Sequence, residues 1–216
     1  AVGHAVRAAY MYSGMADVAA LTGQKDYIEA IDRLWENVVG KKMYLTGGIG
    51  ARHHDEAFGE NYELPNGSAY NETCAAIANA MWNQRMFLLH GESKYIDVLE
   101  RVLYNGFLAG ISMEGNTFFY PNPLSSNAEY RFNKGAVGRQ GWFDCSCCPV
   151  NIVRFLPALA GMVYAHKEDN LYVNLFVPGM GTISMTNGDV RITQATRYPL
   201  DAKVHLTIGT AKAVPF

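Results

Sequence analysis

Leu21-Thr22-Gly23-Gln24-Lys25-Asp26-Tyr27-Ile28-Glu29-Ala30-Ile31 decides the fold, because it returns as Leu89-His90-Gly91-Glu92-Ser93-Lys94-Tyr95-Ile96-Asp97-Val98-Leu99. Leu, Gly, Tyr and Ile recur at the same offsets. Each copy reads as a helix end, a glycine stop and the start of the next helix's buried face. Repeated helix–Gly–helix units point to an α-toroid or α-solenoid. Generic helix-turn-helix grammar is the alternative source of so short a match.

Working outward, Tyr27, Ile28, Ile31, Leu34, Trp35 and Val38 keep the helical period up to Gly40, and Tyr95, Val98, Leu99, Val102, Leu103 and Phe107 keep it in the second copy. Ile77, Ala80, Met81 and Leu88 suggest a helix between Cys74 and Leu89, ended by His90-Gly91, and the first residues read as helix interior. Pro149 opens a further helix through Val153, Leu156, Leu159 and Val163, with Pro157 placed to bend it. After Asn170 the period changes to two. Leu171, Val173, Leu175 and Val177 alternate with other residues. The segments 182–185, 190–193 and 204–208 read as further strands, set off by turns at Asn187-Gly188-Asp189 and Pro199-Leu200-Asp201.

Two long stretches break the helical pattern. Met43–Asn71 is rich in Gly, His, acidic and aromatic residues, and Gly115–Trp142 carries Phe118-Phe119-Tyr120-Pro121-Asn122-Pro123. Loops of this length inside a helical domain usually carry function. The chain has 216 residues, 49% hydrophobic and 12% aromatic, which is ample for a core. A net charge of −2 gives no reason to expect nucleic acid, and no run of about 18 apolar residues suggests a membrane span. The N-terminal residues are unlike a signal peptide. Uncapped ends read as those of an internal piece of a longer protein. Cys147 and Cys148 are adjacent, and a chain of this size needs no disulfide staples. Reduced thiols and a cytoplasmic location are therefore expected.

All four cysteines lie in Glu72-Thr73-Cys74 and Cys145-Ser146-Cys147-Cys148-Pro149. Thiolates with one carboxylate suit Zn²⁺. Thiols before a Pro-initiated helix also face the positive end of its dipole, which favours thiolate. Glu72, Cys74, Cys147 and Cys148 make four ligands, and the pattern leaves Cys145 as an alternative to one of them. Buried reduced cysteines or a structural zinc knot are the plainer readings. Glu56, Glu60 and Glu63, near Phe58, Tyr62 and Tyr70, compete for the role of a general acid in glycoside chemistry. Gly47-Gly48-Ile49-Gly50 has no P-loop Lys-Ser/Thr after it, and no dinucleotide, zincin or serine-hydrolase signature occurs.

These residues carry a resemblance. Gly3-His4-Ala5-Val6-Arg7, Thr46-Gly47-Gly48-Ile49-Gly50, Glu56-Ala57-Phe58, Leu64-Pro65-Asn66, Glu72-Thr73-Cys74, Leu103-Tyr104-Asn105-Gly106, Phe118-Phe119-Tyr120 and Cys147-Cys148-Pro149 together resemble the zinc-dependent retaining β-L-arabinofuranosidases, a bacterial glycoside hydrolase family. The pairing of Glu-Thr-Cys with Cys-Cys-Pro is the specific part. The resemblance implies a mainly α fold: residues 1–166 as the C-terminal part of an (α/α)6 barrel, and 167–216 as the first strands of a β-sandwich domain. It implies Cys147 as nucleophile, Glu56 as general acid/base, and Glu72, Cys74, Cys147 and Cys148 as zinc ligands. His4 and Tyr120 match sugar-contacting positions. The implied partner is an L-arabinofuranoside, with no nucleic acid or membrane and at most a second copy in a homodimer. A sister activity on another sugar, or a non-catalytic zinc-stapled carbohydrate-binding scaffold, is the alternative.

Overall fold

The computed structural model describes residues 1–210; residues 211–216, the end of the proposed strand region, lie outside the described residues. Helices and two small antiparallel sheets make up two compact units, Ala1–Phe155 and Leu156–Phe216.

The first unit is built on α1 (Ala5–Thr22), α2 (Lys25–Lys41), α3 (Thr73–His90) and α4 (Ser93–Arg101). The recurring glycines act as the sequence predicts. Gly23 and Gly91 both take the left-handed conformation at a helix C-terminus, and their N–H groups bond Ala19 O at 2.9 Å and Phe87 O at 2.7 Å. The copies differ beyond that point. Tyr95 and Ile96 are buried, whereas Tyr27 stays exposed and the buried residues of α2 are Ile31 and Val38.

Helix α3 forms the centre. It buries residues on every side, including Ala75, Ala76, Ile77, Ala78, Ala80, Trp82 and Met86, as a core helix must. Its two polar interior residues are paired. Asn79 donates to Gly47 O at 2.9 Å, and Asn83 donates to Asn79 and accepts from the Trp35 indole at 2.7 Å. α3 thereby ties both the glycine loop and the helical hairpin to one axis.

α4 ends sooner than its period suggests, because Val102–Phe107 widens into a π-helical turn. Gly106 in that turn donates to Thr46 O at 3.0 Å, so the turn lies flat against the loop Thr46–Gly50. This explains the glycine loop, which is a packing device and no phosphate cradle. Gly47 has φ +82°, and a Cβ there would meet Val102 Cγ2 at 2.6 Å and the Val102 backbone at 2.9 Å.

The start of the chain departs from the helical reading. Gly3 has φ +79°, and α1 begins only at Ala5. His4 pairs with Ala57 as an isolated bridge, and Gly3 O accepts from the Phe58 N–H at 2.9 Å. The N-terminal residues are thus stitched to the acidic loop. α5 (Cys147–Ala158) starts at the cysteines themselves, with Pro149 inside its first turn, crosses the boundary at Phe155, and is followed by a 3-10 turn at Leu159–Met162 just past Pro157.

The second unit contains a hairpin, β1 (Tyr164–Lys167) with β2 (Asn170–Val173), and a three-stranded sheet of β3 (Gly179–Met185), β4 (Gly188–Thr196) and β5 (Val204–Thr210) in the order β3-β4-β5. Val190, Ile192 and Gln194 point to the buried face of β4, and Gln194 donates to Leu175 O at 3.0 Å. The period-two reading finds these strands, though β1 lay within the expected helical part.

Gly47→Ala should destabilise the complete protein by roughly 2–4 kcal/mol, combining overpacking against Val102 with a left-handed backbone. Chemical denaturation measures this. A native unfolding midpoint would show that the loop does not pack as described.

Candidate metal and catalytic centre

Two extended segments lie side by side ahead of α3. Asn122 N–H donates to Tyr70 O at 3.0 Å, and Thr73 N–H donates to Tyr120 O at 3.0 Å. The Thr73 hydroxyl reaches Phe119 O at 2.8 Å, and the Asn71 amide reaches Asn122 O at 3.0 Å. Glu72 and Tyr120 are therefore fixed by backbone pairing, and Cys74 by the first turn of α3. Ser146 O accepts from the Val150 N–H at 3.3 Å, which starts α5 at Cys147 and brings its two thiols to the same point.

One carboxylate oxygen of Glu72 and the sulfurs of Cys74, Cys147 and Cys148 all lie within 4.8 Å of one another. Cys147 Sγ is 3.6 Å from Cys74 Sγ, 3.9 Å from Cys148 Sγ and 3.4 Å from Glu72 Oε1, and Cys148 Sγ is also 3.4 Å from Glu72 Oε1. Sulfurs held about 2.3 Å from a shared ion at tetrahedral angles would lie about 3.8 Å apart. The observed spacings fit. Glu72 is 2% exposed, and its Oε2 is buried without a hydrogen-bond partner, a costly arrangement for a carboxylate that binds nothing.

The electrostatics agree. Hydrogen bonding from Cys148 and Cys74, then from Tyr120 and Glu72, pulls the Cys147 thiol down to about 2. Burial, followed by the charge on Cys147, pushes Glu72 up to about 9. Cys74 is raised by its hydrogen bond to Cys147, and Cys148 by burial. Ionisation is thus drawn toward Cys147 and away from the other three. A cation bound among them would permit the others to ionise.

The cluster opens onto a cleft of about 830 Å³, lined among others by His4, Glu56, Glu72, Cys74, Tyr120 and Cys147. Of the four donors, Cys147 alone is half-buried rather than buried. The Tyr120 hydroxyl sits 2.9 Å from its sulfur. Cys145 also lines the cleft but is exposed and outside the four-donor group.

Glu56 takes a left-handed backbone (φ 50°), as does Asp55 before it (φ 56°), an uncommon strain for such residues. Its carboxylate accepts from the Tyr70 hydroxyl at 2.6 Å through Oε1 and lies 3.0 Å from His4 Nε2 through Oε2. The competing acids are occupied elsewhere. Glu63 is chelated by Arg52 at 2.8 and 2.6 Å, which lowers it to about 2, and the Glu60 side chain is 85% exposed. Glu56 is the one of the three that lines the cleft. Among the supposed wall aromatics, Phe58 is core, Tyr62 is exposed, and Tyr70 alone reaches Glu56.

Sequence reading missed Lys134. Its ammonium donates to Tyr70 Oη at 2.9 Å, lies 3.6 Å from Glu56 Oε1, and stands over the Tyr120 ring at 4.3 Å. Asn133-Lys134-Gly135 announces a tight turn, but nothing in the sequence says where that turn points.

Residues 1–161 match the family model for the β-L-arabinofuranosidase GH127 catalytic domain. A non-reducing end β-L-arabinofuranosidase of Bifidobacterium longum subsp. longum is 36% identical over 211 residues, covering 96% of this chain and 32% of that protein. Among solved structures, a GH127 β-arabinofuranosidase superposes with a TM-score of 0.91 at 57% identity, over 96% of this chain and 32% of its own. A GH127 β-L-arabinofuranosidase from Geobacillus stearothermophilus T6 gives a TM-score of 0.93 at 42% identity, over 98% and 34%. The chain thus spans about a third of the length of these relatives.

Cys148→Ser and Glu72→Gln in the complete protein should lower bound metal, measured by elemental analysis after gel filtration. Cys145→Ser should leave it unchanged. Loss of metal in the Cys145 variant would show that the ligand set is wrong.

Proposed function

This chain belongs to the β-L-arabinofuranosidase GH127 catalytic-domain family, and from that membership we propose that it carries the reacting groups of a retaining glycoside hydrolase. The proposed enzyme releases β-L-arabinofuranose from the non-reducing ends of arabino-oligosaccharides or glycoconjugates. The observation that carries the reading is the placement of Cys147: the one donor of the four-donor acidic cluster that is half-buried rather than buried lines a cleft that also holds Glu56.

Glu72, Cys74, Cys147 and Cys148 would hold zinc. When bound, it supplies the positive charge that keeps their thiols deprotonated at neutral pH. The remaining chemistry belongs to the side chains. Cys147 Sγ attacks the anomeric carbon and forms a C–S bond while the C–O bond to the leaving group breaks. Glu56 delivers its proton to the departing oxygen. A water then attacks the same carbon, gives a proton to Glu56 and releases Cys147 as thiolate. Two inversions restore the configuration. Tyr120, 2.9 Å from the sulfur, is placed to donate to the thiolate whenever it carries charge.

His4 Nδ1 is buried without a partner, and the other ring nitrogen is engaged with Glu56. A sugar hydroxyl would complete it. Tyr120 lines the same cleft, so both residues are proposed to contact the arabinose ring. We further propose that the helices form part of an (α/α)6 barrel spanning 1–166 and that the strands open a β-sandwich domain. A cytoplasmic location and a homodimer belong to the same proposal.

In the complete protein, Cys147→Ser should abolish hydrolysis of a chromogenic β-L-arabinofuranoside while leaving the fold intact by circular dichroism. Native turnover in that variant would refute the nucleophile. Turnover of other furanosides or pyranosides in preference to the arabinoside would refute the sugar assignment.

A further inference from the structure

Lys134 sits at the tip of a turn the protein holds with unusual care. Asn133 is fully buried, accepts from the Tyr120 N–H at 2.8 Å, and donates to Phe118 O at 3.1 Å and Gly138 O at 2.8 Å. Asn133 N–H also pairs with Ala136 O at 2.9 Å, which closes the turn. Lys134 itself has φ 51°, and Gly135 has φ 97°. A left-handed lysine costs on the order of 1 kcal/mol, and such strain persists where the surroundings over-determine it. The side chain, 42% exposed, lies over the cleft across the faces of Tyr120 (4.3 Å) and Tyr70 (5.2 Å).

The three contacts of the ammonium share a logic. Its N–H occupies a lone pair of the Tyr70 oxygen, so the Tyr70 proton is committed to Glu56 Oε1. Its charge stands 3.6 Å from that same carboxylate oxygen. The Tyr120 ring beneath it carries the hydroxyl that meets Cys147 Sγ. A cation over a phenol attracts the ring face and makes the hydroxyl a stronger donor. One side chain therefore reaches the partners of both reacting groups.

We propose that Lys134 is a positioning residue that holds Tyr70 on Glu56 and Tyr120 on Cys147, and so aligns proton delivery with attack by sulfur. This rests on the reading of Glu56 as proton donor and Cys147 as nucleophile. Lys134 acts through the two tyrosines and Glu56, without itself bonding the sugar carbon or the leaving oxygen.

The test uses the complete protein and two β-L-arabinofuranosides, one with a nitrophenyl leaving group that needs little protonation and one with an alkyl leaving group that needs much. kcat/KM reports the first, bond-breaking step. Lys134→Met should lose about tenfold on the alkyl glycoside and distinctly less on the nitrophenyl glycoside. Lys134→Arg, which keeps a cation over the rings, should recover most of the loss. Thermal unfolding of both variants reports whether the turn survives. Equal losses on both substrates, no loss on either, or no recovery with Arg in a variant that melts like the native protein would overturn the proposal. Glu56→Gln is the control for the premise and should lose roughly 10²-fold or more on the alkyl glycoside. If that variant shows no leaving-group dependence, the acid assignment fails, and the role of Lys134 fails with it.

Discussion

Everything in the first unit answers to one constraint: four acidic side chains must be brought within 4.8 Å of one another while three of them are taken out of water. Glu72, Cys74 and Cys148 are each 3% exposed or less. Unaided, such a cluster resists ionisation, as the upward shift of Glu72 to about 9 records. A metal bound there would relieve the conflict, and its binding energy would become folding energy for the segments that supply the donors. The cluster joins chain positions more than 70 residues apart, so it also fixes α5 against the start of α3.

That constraint explains why so much of the surrounding backbone is special. The paired segments around Tyr70–Thr73 and Phe119–Asn122 are short and irregular, yet their bonds fix the backbone that carries Glu72 and Tyr120. Glu56, Asn71 and Lys134 all take left-handed backbones close to the site. Strain concentrates where several side chains must converge, and the rigid frame of α1, α3 and the π-turn absorbs its cost. The glycines around Gly47 let the frame close without a side chain between loop and turn.

Much of this was legible in the sequence because its signals are local. A glycine stop is written at the place where it acts, as Gly23 and Gly91 show, and a change of period from 3.6 to two marks the strands. That Glu72 and the cysteines would gather was legible for a different reason: few chemistries ask for Glu-Thr-Cys and Cys-Cys-Pro in one chain. What stayed hidden depends on distant contacts. The residue pattern left Glu56, Glu60 and Glu63 in competition and only the resemblance singled out Glu56; its place on the cleft is set by the bridge from His4 to Ala57 and by Arg52 capturing Glu63. The early end of α4, the late start of α1 and the placement of Lys134 over the two tyrosines are likewise set by partners remote in sequence, which no local periodicity reports.

The central claim is that the least buried sulfur of this cluster, Cys147 Sγ, is the atom that bonds to the sugar. A mechanism-based arabinofuranosyl inhibitor, followed by proteolysis and mass spectrometry of the complete protein, addresses it directly. The account predicts a single adduct, on Cys147. An adduct on Glu56 or Cys145 would contradict it.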